Sequence, residues 1–212
     1  LHAGRTRYTS SAGLPELREA IAAAYLRDFA VRFEPREVAV ACGGKQALFL
    51  TAQALFGPGD EVVVPAPYWP TFPEAVRLAG TKAVIAPLDE AQGFRLSARA
   101  LRGYLTPKTR ALVVNTPSNP TGVVVTPEDL LDLARLARRR KLTLLYDDTY
   151  ARLLLEDLGP SVLQEARRLA GEHFVILGTA SKTYCMTGWR IGWVLGPAAL
   201  VEACATLASH ST

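Results

Sequence analysis

Ala111-Leu112-Val113-Val114-Asn115 opens the stretch that decides the fold; it closes with Leu142-Thr143-Leu144-Leu145-Tyr146. Both are nearly continuous apolar runs, as strands buried on both faces are. Between them, Thr126-Pro127-Glu128-Asp129 carries a helix start signal: a hydroxyl N-cap, a proline in the first turn and an acid three residues on. Leu130, Leu133, Ala134 and Ala137 then repeat at helical spacing and mark one face. Strand, helix, strand in this order predicts a parallel pair with a crossover.

Working outward, the same alternation covers the chain. Candidate strands are Val38–Ala41, Glu61–Pro65, Lys82–Ala86, Ala111–Asn115, Leu142–Tyr146, Phe174–Leu177 and Ile191–Leu195. Gly57-Pro58-Gly59-Asp60 ends a helix between the first two. There is no internal repeat and no low-complexity tract. The expected fold class is α/β: a three-layer α/β/α sandwich around a mostly parallel seven-stranded sheet, with helices on both sides. Sites in such sheets gather at the carboxyl ends of the strands.

Bulk properties narrow the function classes. With 212 residues the chain can form one large domain or two small ones, and 49% hydrophobic residues supply a core. No run of about 18 uncharged apolar residues offers a membrane span, and no leader of charged-then-apolar type is visible. Cys42, Cys185 and Cys204 lie far apart and make no CxxC pair, which points to a reducing compartment, the cytoplasm, and to no metal. His2, His173 and His210 are too scattered for a ligand cluster. The formal charge of +4 is modest, and its densest cluster, Arg138-Arg139-Arg140-Lys141, falls where a helix should end and cations suit the dipole. No aromatic or recognition motif accompanies it, so nucleic acid is not an expected partner.

The chemistry centres on Lys182, in Thr179-Ala180-Ser181-Lys182-Thr183-Tyr184-Cys185-Met186-Thr187-Gly188-Trp189-Arg190, after the apolar run Phe174-Val175-Ile176-Leu177. A lysine at the end of a buried strand is expected to be desolvated. Burial disfavours the ammonium form and makes the amine a better nucleophile, as imine formation with an aldehyde cofactor requires. Eight residues on, Arg190 offers a planar fork suited to a phosphate. Thr179 and Ser181 could add hydrogen bonds. Together these groups read as a site for pyridoxal phosphate (PLP). Ser-Lys alone would equally be a surface lysine in a polar loop.

Other segments add to this. Asp147 ends a buried strand, where a carboxylate is costly unless paired. A pyridinium N–H would be such a partner, and holding that proton makes the ring an electron sink. By themselves, Asp147 and Tyr150 could also be strand-end caps. Cys42-Gly43-Gly44-Lys45-Gln46-Ala47-Leu48 joins a strand to a helix, so two glycines and free helix-start N–H groups can approach an anion. The Walker spacing is absent, and the glycines alone could be loop punctuation. Lys45 is a cation at a helix start, where the dipole disfavours it by a few tenths to about 1 kcal/mol, which suggests a compensating anion. Asn115-Thr116-Pro117-Ser118-Asn119-Pro120-Thr121-Gly122 is a tight turn that projects the Asn119 amide. In Pro67-Tyr68-Trp69-Pro70 the tryptophan can stack on a flat ring or serve the core.

Ser181-Lys182-Thr183-Tyr184 through Met186-Thr187-Gly188-Trp189-Arg190-Ile191-Gly192 resembles the PLP-lysine signature of class I aminotransferases, the fold-type I PLP enzymes. The similarity runs from Tyr8 to the last residues, with several motifs in the family's order, and is closest to bacterial aspartate aminotransferases, some of which also accept prephenate. The resemblance implies that Lys182 carries the cofactor and moves the substrate α-proton. It implies that Asp147 faces the pyridine nitrogen and that Tyr150 and Asn119 bond the ring O3′. Trp69 would lie over the ring, and the backbone at Gly43, Gly44 and Lys45, with Thr179, Ser181 and Arg190, would hold the phosphate. Tyr8 would reach the phosphate of a neighbouring subunit, which requires a homodimer. Lys45 would contact the distal carboxylate of a dicarboxylic substrate, with Trp69 and Asn119 also on the substrate side. Asp148 departs mildly from the usual glutamate after the aspartate.

Relatives are about twice as long and carry an N-terminal arm and a C-terminal small domain, which supplies the arginine for the substrate α-carboxylate. Residues 1–212 are therefore expected to be the PLP-binding large domain of a longer enzyme. His210 stands where close relatives usually have Gln. The expected function is transfer of an amino group between an amino acid, aspartate or glutamate, and a 2-oxo acid. A β-lyase or decarboxylase with the same cofactor groups, and an aminotransferase-like ligand sensor of a transcriptional regulator, stay open as alternatives.

Overall fold

A computed structural model describes residues 7–154 and 161–211; His2 and Thr212 lie outside them. In chain order the elements are α1 (Pro15–Phe29), β1 (Val38–Ala41), α2 (Gly44–Leu55), β2 (Glu61–Ala66), α3 (Thr71–Leu78), β3 (Lys82–Pro87), α4 (Ala98–Leu101), β4 (Thr109–Asn115), α5 (Pro127–Arg140), β5 (Thr143–Asp147), α6 (Leu163–Ala170), β6 (Phe174–Thr179), α7 (Ala180–Thr183), β7 (Gly192–Leu195) and α8 (Ala198–Ser209). The strands form one seven-stranded sheet in the order β1-β7-β6-β5-β4-β2-β3. Pairing is parallel except for β7, which runs antiparallel to both β1 and β6. Each expected strand is present, with ends displaced by a residue or two.

Alternation along the strands builds two cores. On one face Leu112, Val114, Leu144, Tyr146 and Ile176 pack with α1, α5 and α6. On the other Ala111, Val113, Leu145, Val175 and Leu177 pack with α2, α3 and α8. Both faces of β4, β5 and β6 are thus covered, which is why their sequences read as nearly continuous apolar runs. The α5 start follows its sequence signal: Thr126 accepts the Asp129 N–H at 3.2 Å and donates to Asp129 Oδ2 at 3.0 Å. At the other end Arg138, Arg139 and Arg140 fill the last turn and Lys141 caps it, where cations meet the negative pole of the dipole.

Leu144 is fully buried in the central strand. Leu144→Ala should cost about 2–5 kcal/mol, the usual range for a core leucine. Denaturant unfolding should show a lower midpoint with unchanged slope. A change below about 1 kcal/mol would contradict the packing described.

Register places the functional positions at one end of the sheet. Asn115, the last residue of β4, pairs with Asp147, the last of β5. Thr179, the last of β6, and Ala41, the last of β1, both pair with Gly192. Loops that follow β1, β2, β4, β5 and β6 therefore open onto one shared edge.

Candidate active site

At that edge lies a cleft of about 260 Å³, lined by Lys45, Trp69, Asn119, Asp147, Tyr150, Lys182 and Arg190, with Gly44, Asn115, Thr149, Thr179, Ser181 and Thr187 between them. Residues from Gly44 to Arg190 meet there although the sequence separates them widely. Three lining side chains are cationic, Lys45, Lys182 and Arg190, and one is anionic, Asp147. That balance suits an anionic ligand.

Asp147 is buried at the end of β5. Its Oδ1 accepts from the Thr149 N–H at 3.0 Å and the Thr149 hydroxyl at 2.6 Å. Burial pushes the carboxyl above the ordinary carboxylate range, and the two Thr149 bonds pull it back down. Among the described residues its hydrogen bonds all go to Oδ1, which leaves Oδ2 to accept from the cleft. An N–H of a flat heteroaromatic ring meets that demand.

Lys182 differs from expectation. It is exposed, not desolvated. The strand stops at Thr179 and the chain coils at once into the single turn α7, with Thr179 Oγ1 accepting the Ser181 N–H at 3.2 Å. That turn lifts Lys182 off the sheet layer and into the cleft. Position, not burial, singles it out. The hydroxyls beside it are structural as well as available: Thr179 donates to the Ile191 carbonyl at 2.9 Å and lies 3.0 Å from Ser181 Oγ.

The start of α2 opens onto the cleft, with Gly44 and Lys45 in its lining. Gly43 caps the helix with φ 83° and no side-chain cap bond, so the first-turn amides carry no side-chain acceptor. A Cβ on Gly43 would strike the Arg190 guanidinium, and one on Gly192 would strike the Gly43 backbone. Glycine at both places lets the two loops close on each other with Arg190 beside the helix start. The Arg190 Nη1 donates to the Thr187 carbonyl at 2.9 Å, which aims the fork. These residues fit an anion held by backbone amides and a guanidinium.

Trp69 is half-buried, its ring edge-on to Phe72 at 5.6 Å. Lys45 Nζ sits 5.6 Å from the Trp69 ring centroid. This cation–π contact gives the Lys45 side chain a structural partner that the helix-dipole argument alone does not foresee. Asn119 is held by its backbone N–H donating to Asn115 Oδ1 at 2.7 Å. Tyr8 is fully exposed and does not line the cleft.

Sequence reading passed over Asn115, Thr149 and Thr187. Thr149 was detectable, because an aspartate two residues before a hydroxyl residue is an Asx-turn pattern. Asn115 needed the β4–β5 register. Among the described residues no group of His, Cys, Asp and Glu could hold a metal, and no helix is long and apolar enough to cross a membrane.

An open, mostly parallel sheet with a cationic cleft at its carboxyl edge defines an α/β ligand-binding domain. The family model for aminotransferase class I and II matches residues 2–212, and the chain belongs to that family. It is 44% identical over 211 residues to aspartate/prephenate aminotransferase of Thermus thermophilus, covering 99% of this chain and 53% of that protein. It is 45% identical over 210 residues to aspartate aminotransferase of Streptomyces avermitilis, covering 97% of this chain and 50% of that protein. Among solved structures, aspartate aminotransferase from Thermus thermophilus with maleate superposes with a TM-score of 0.93 at 43% identity, covering 99% of this chain and 54% of that one. The chain thus spans about half the length of the curated relatives it matches.

Proposed function

We propose that residues 1–212 are the PLP-binding large domain of a longer aminotransferase, one that moves an amino group between aspartate or glutamate and a 2-oxo acid. The observation that carries this is the meeting of Asp147 and Lys182 in one cleft with Arg190 and the uncapped start of α2. PLP, when bound, would supply an electron sink for the pair of electrons left by a departing α-proton. Asp147 would hold the proton on the ring nitrogen. Lys182 Nζ would be the amine that holds the cofactor and the base that accepts the substrate α-proton and returns it. Arg190 and the α2 amides would hold the phosphate, with Thr179 and Ser181 shaping that corner. Tyr150 and Asn119 would bond the ring hydroxyl, and Trp69 would lie beside the ring. Tyr8, exposed on this chain, serves the site of a second copy in a homodimer working in the cytoplasm.

Lys45 selects the donor. It stands at the cleft wall against Trp69, and the similar Thermus thermophilus structure was solved with maleate, a dicarboxylate. A charge-assisted contact of this kind is worth roughly 1.5–3 kcal/mol, about ten- to a hundredfold in specificity. In the full-length enzyme Lys45→Ala should lower kcat/KM for aspartate by that factor and leave alanine and aromatic donors nearly unchanged. Equal loss for all donors would assign Lys45 to the phosphate corner instead. The function itself is tested by amino transfer from aspartate to 2-oxoglutarate, followed as oxaloacetate formed.

A further inference from the structure

Behind Asp147 stands a second carboxylate that the reading above does not use. Asp148 does not line the cleft, is 3% exposed, and accepts a hydrogen bond from the Tyr25 hydroxyl of α1. Tyr25, fully buried, accepts in turn from Trp193 Nε1 of β7 at 2.9 Å. The pair crosses β6 at Gly178, where a Cβ would collide with both Trp193 and Tyr25. The Asp148 N–H donates to the Leu177 carbonyl at 3.1 Å, which fixes the turn to β6. From the same turn Arg152 reaches Asp28 of α1 at 2.9 Å and covers the Phe29 ring at 4.7 Å. The turn that carries Asp147 and Tyr150 is thus tied to α1, β6 and β7 at once.

We propose that Asp148 is a positioning residue for Asp147: the Trp193–Tyr25–Asp148 relay holds the Asp147–Tyr150 turn in place and sets the charge behind the cofactor-facing carboxylate. This rests on the reading of Asp147 as the partner of the ring nitrogen. The groups that face Asp148 are Tyr25 from α1, Tyr146 and Asp147 from β5, and Arg152 from the turn, itself paired with Asp28. Burial raises the Asp148 carboxyl to about 7; the Tyr25 bond lowers it, the Asp147 charge raises it and Arg152 lowers it. Its charge therefore changes near neutrality. An anionic Asp148 favours a proton on Asp147's partner, and a neutral one withdraws that support.

The test uses the full-length enzyme. In 5-fluorotryptophan-labelled apoenzyme the 19F resonance of Trp193, assigned by its loss in Trp193→Phe, should titrate with a midpoint of about 7. Asp148→Asn should abolish that titration. In the PLP-loaded enzyme, Asp148→Asn should lower the midpoint of the pH-dependent visible absorbance by about one pH unit, the effect of one charge at intermediate range in a partly buried site. Tyr25→Phe removes a bond that favours the ionised form. A shift of about one unit would cut the ionised fraction at pH 7 from a half to about a tenth, so turnover at pH 7 should fall about fivefold, with the gap closing at pH 9. If Asp148→Asn does not fold, Tyr25→Phe decides. An absorbance midpoint that stays in place, or a Tyr25→Phe deficit equal at pH 7 and pH 9, overturns the proposal and leaves a purely structural relay. If wild-type enzyme gains no visible absorbance with PLP, the cofactor reading fails first and the proposal fails with it.

Discussion

Lys182→Ala in the full-length enzyme should abolish amino transfer between aspartate and 2-oxoglutarate while the sheet stays folded. The loss of proton transfer alone accounts for about 10²–10⁴-fold in rate, and losing the covalent anchor adds to it. The structure indicates why the defect should be chemical and not structural. Lys182 is exposed on a single helical turn, so truncating it opens no cavity in either core. PLP should still associate through the Arg190 corner and Asp147, but without the visible absorbance that a covalent link gives. Added methylamine, an amine of the right kind, should restore part of the turnover. Ordinary turnover in Lys182→Ala would remove this residue from the reaction.

The second large effect belongs to Asp147. Asp147→Ala should keep the fold and retain PLP but lose most α-proton exchange. Removing the acceptor of a charge-assisted hydrogen bond costs about 1.5–3 kcal/mol, roughly ten- to a hundredfold, before any weakening of the electron sink is counted. Solvent deuterium exchange at the α-carbon of aspartate measures this step directly. Near-normal exchange would count decisively against the role. The same substitution has a structural consequence with a known sign. Asp147 is buried with its carboxyl pushed up by desolvation. An acid whose folded value lies above its unfolded one binds more protons when folded, so it lowers stability as pH rises from about 4 upward. Asp148 acts likewise, over a window that ends near its value of about 7. Replacing Asp148 should flatten the fall of stability between about pH 4 and 7, and replacing Asp147 should flatten it from about pH 4 upward.

Most of the framework could be read from residue order. Nearly continuous apolar runs at Leu112-Val113-Val114 and Leu142 to Leu145 announce strands that helices cover on both sides, and the two separate cores show why. The capping signal at Thr126 works because local hydrogen bonds, set by neighbours in sequence, decide a helix start. Strand ends were less legible, since β6 extends through Gly178 and Thr179 by pairing with β7, a long-range contact that local composition does not carry.

The site divides along the same line. Asp147, Lys182, Asn119 and Arg190 stood out because each sits in a distinctive local string. The environment of Lys182 is not legible in the same way: the apolar run before it points to burial, but the chain turns at Thr179 and the lysine lines the cleft, exposed. Asn115 reaches the cleft only through its register with Asp147. The Tyr25–Asp148 contact joins residues 123 positions apart, and nothing local to either one announces it. Trp69 and Lys45 each stand in a distinctive local string, but their mutual contact at 5.6 Å is a tertiary fact.

Borohydride reduction of the full-length enzyme loaded with PLP, followed by peptide mapping, identifies the lysine that holds the cofactor. A single pyridoxyl label is expected, on Lys182 within the peptide that follows β6, and no label when Lys182 is alanine. A label on Lys45 or any other lysine, or none at all in wild-type enzyme that binds PLP, would contradict this assignment.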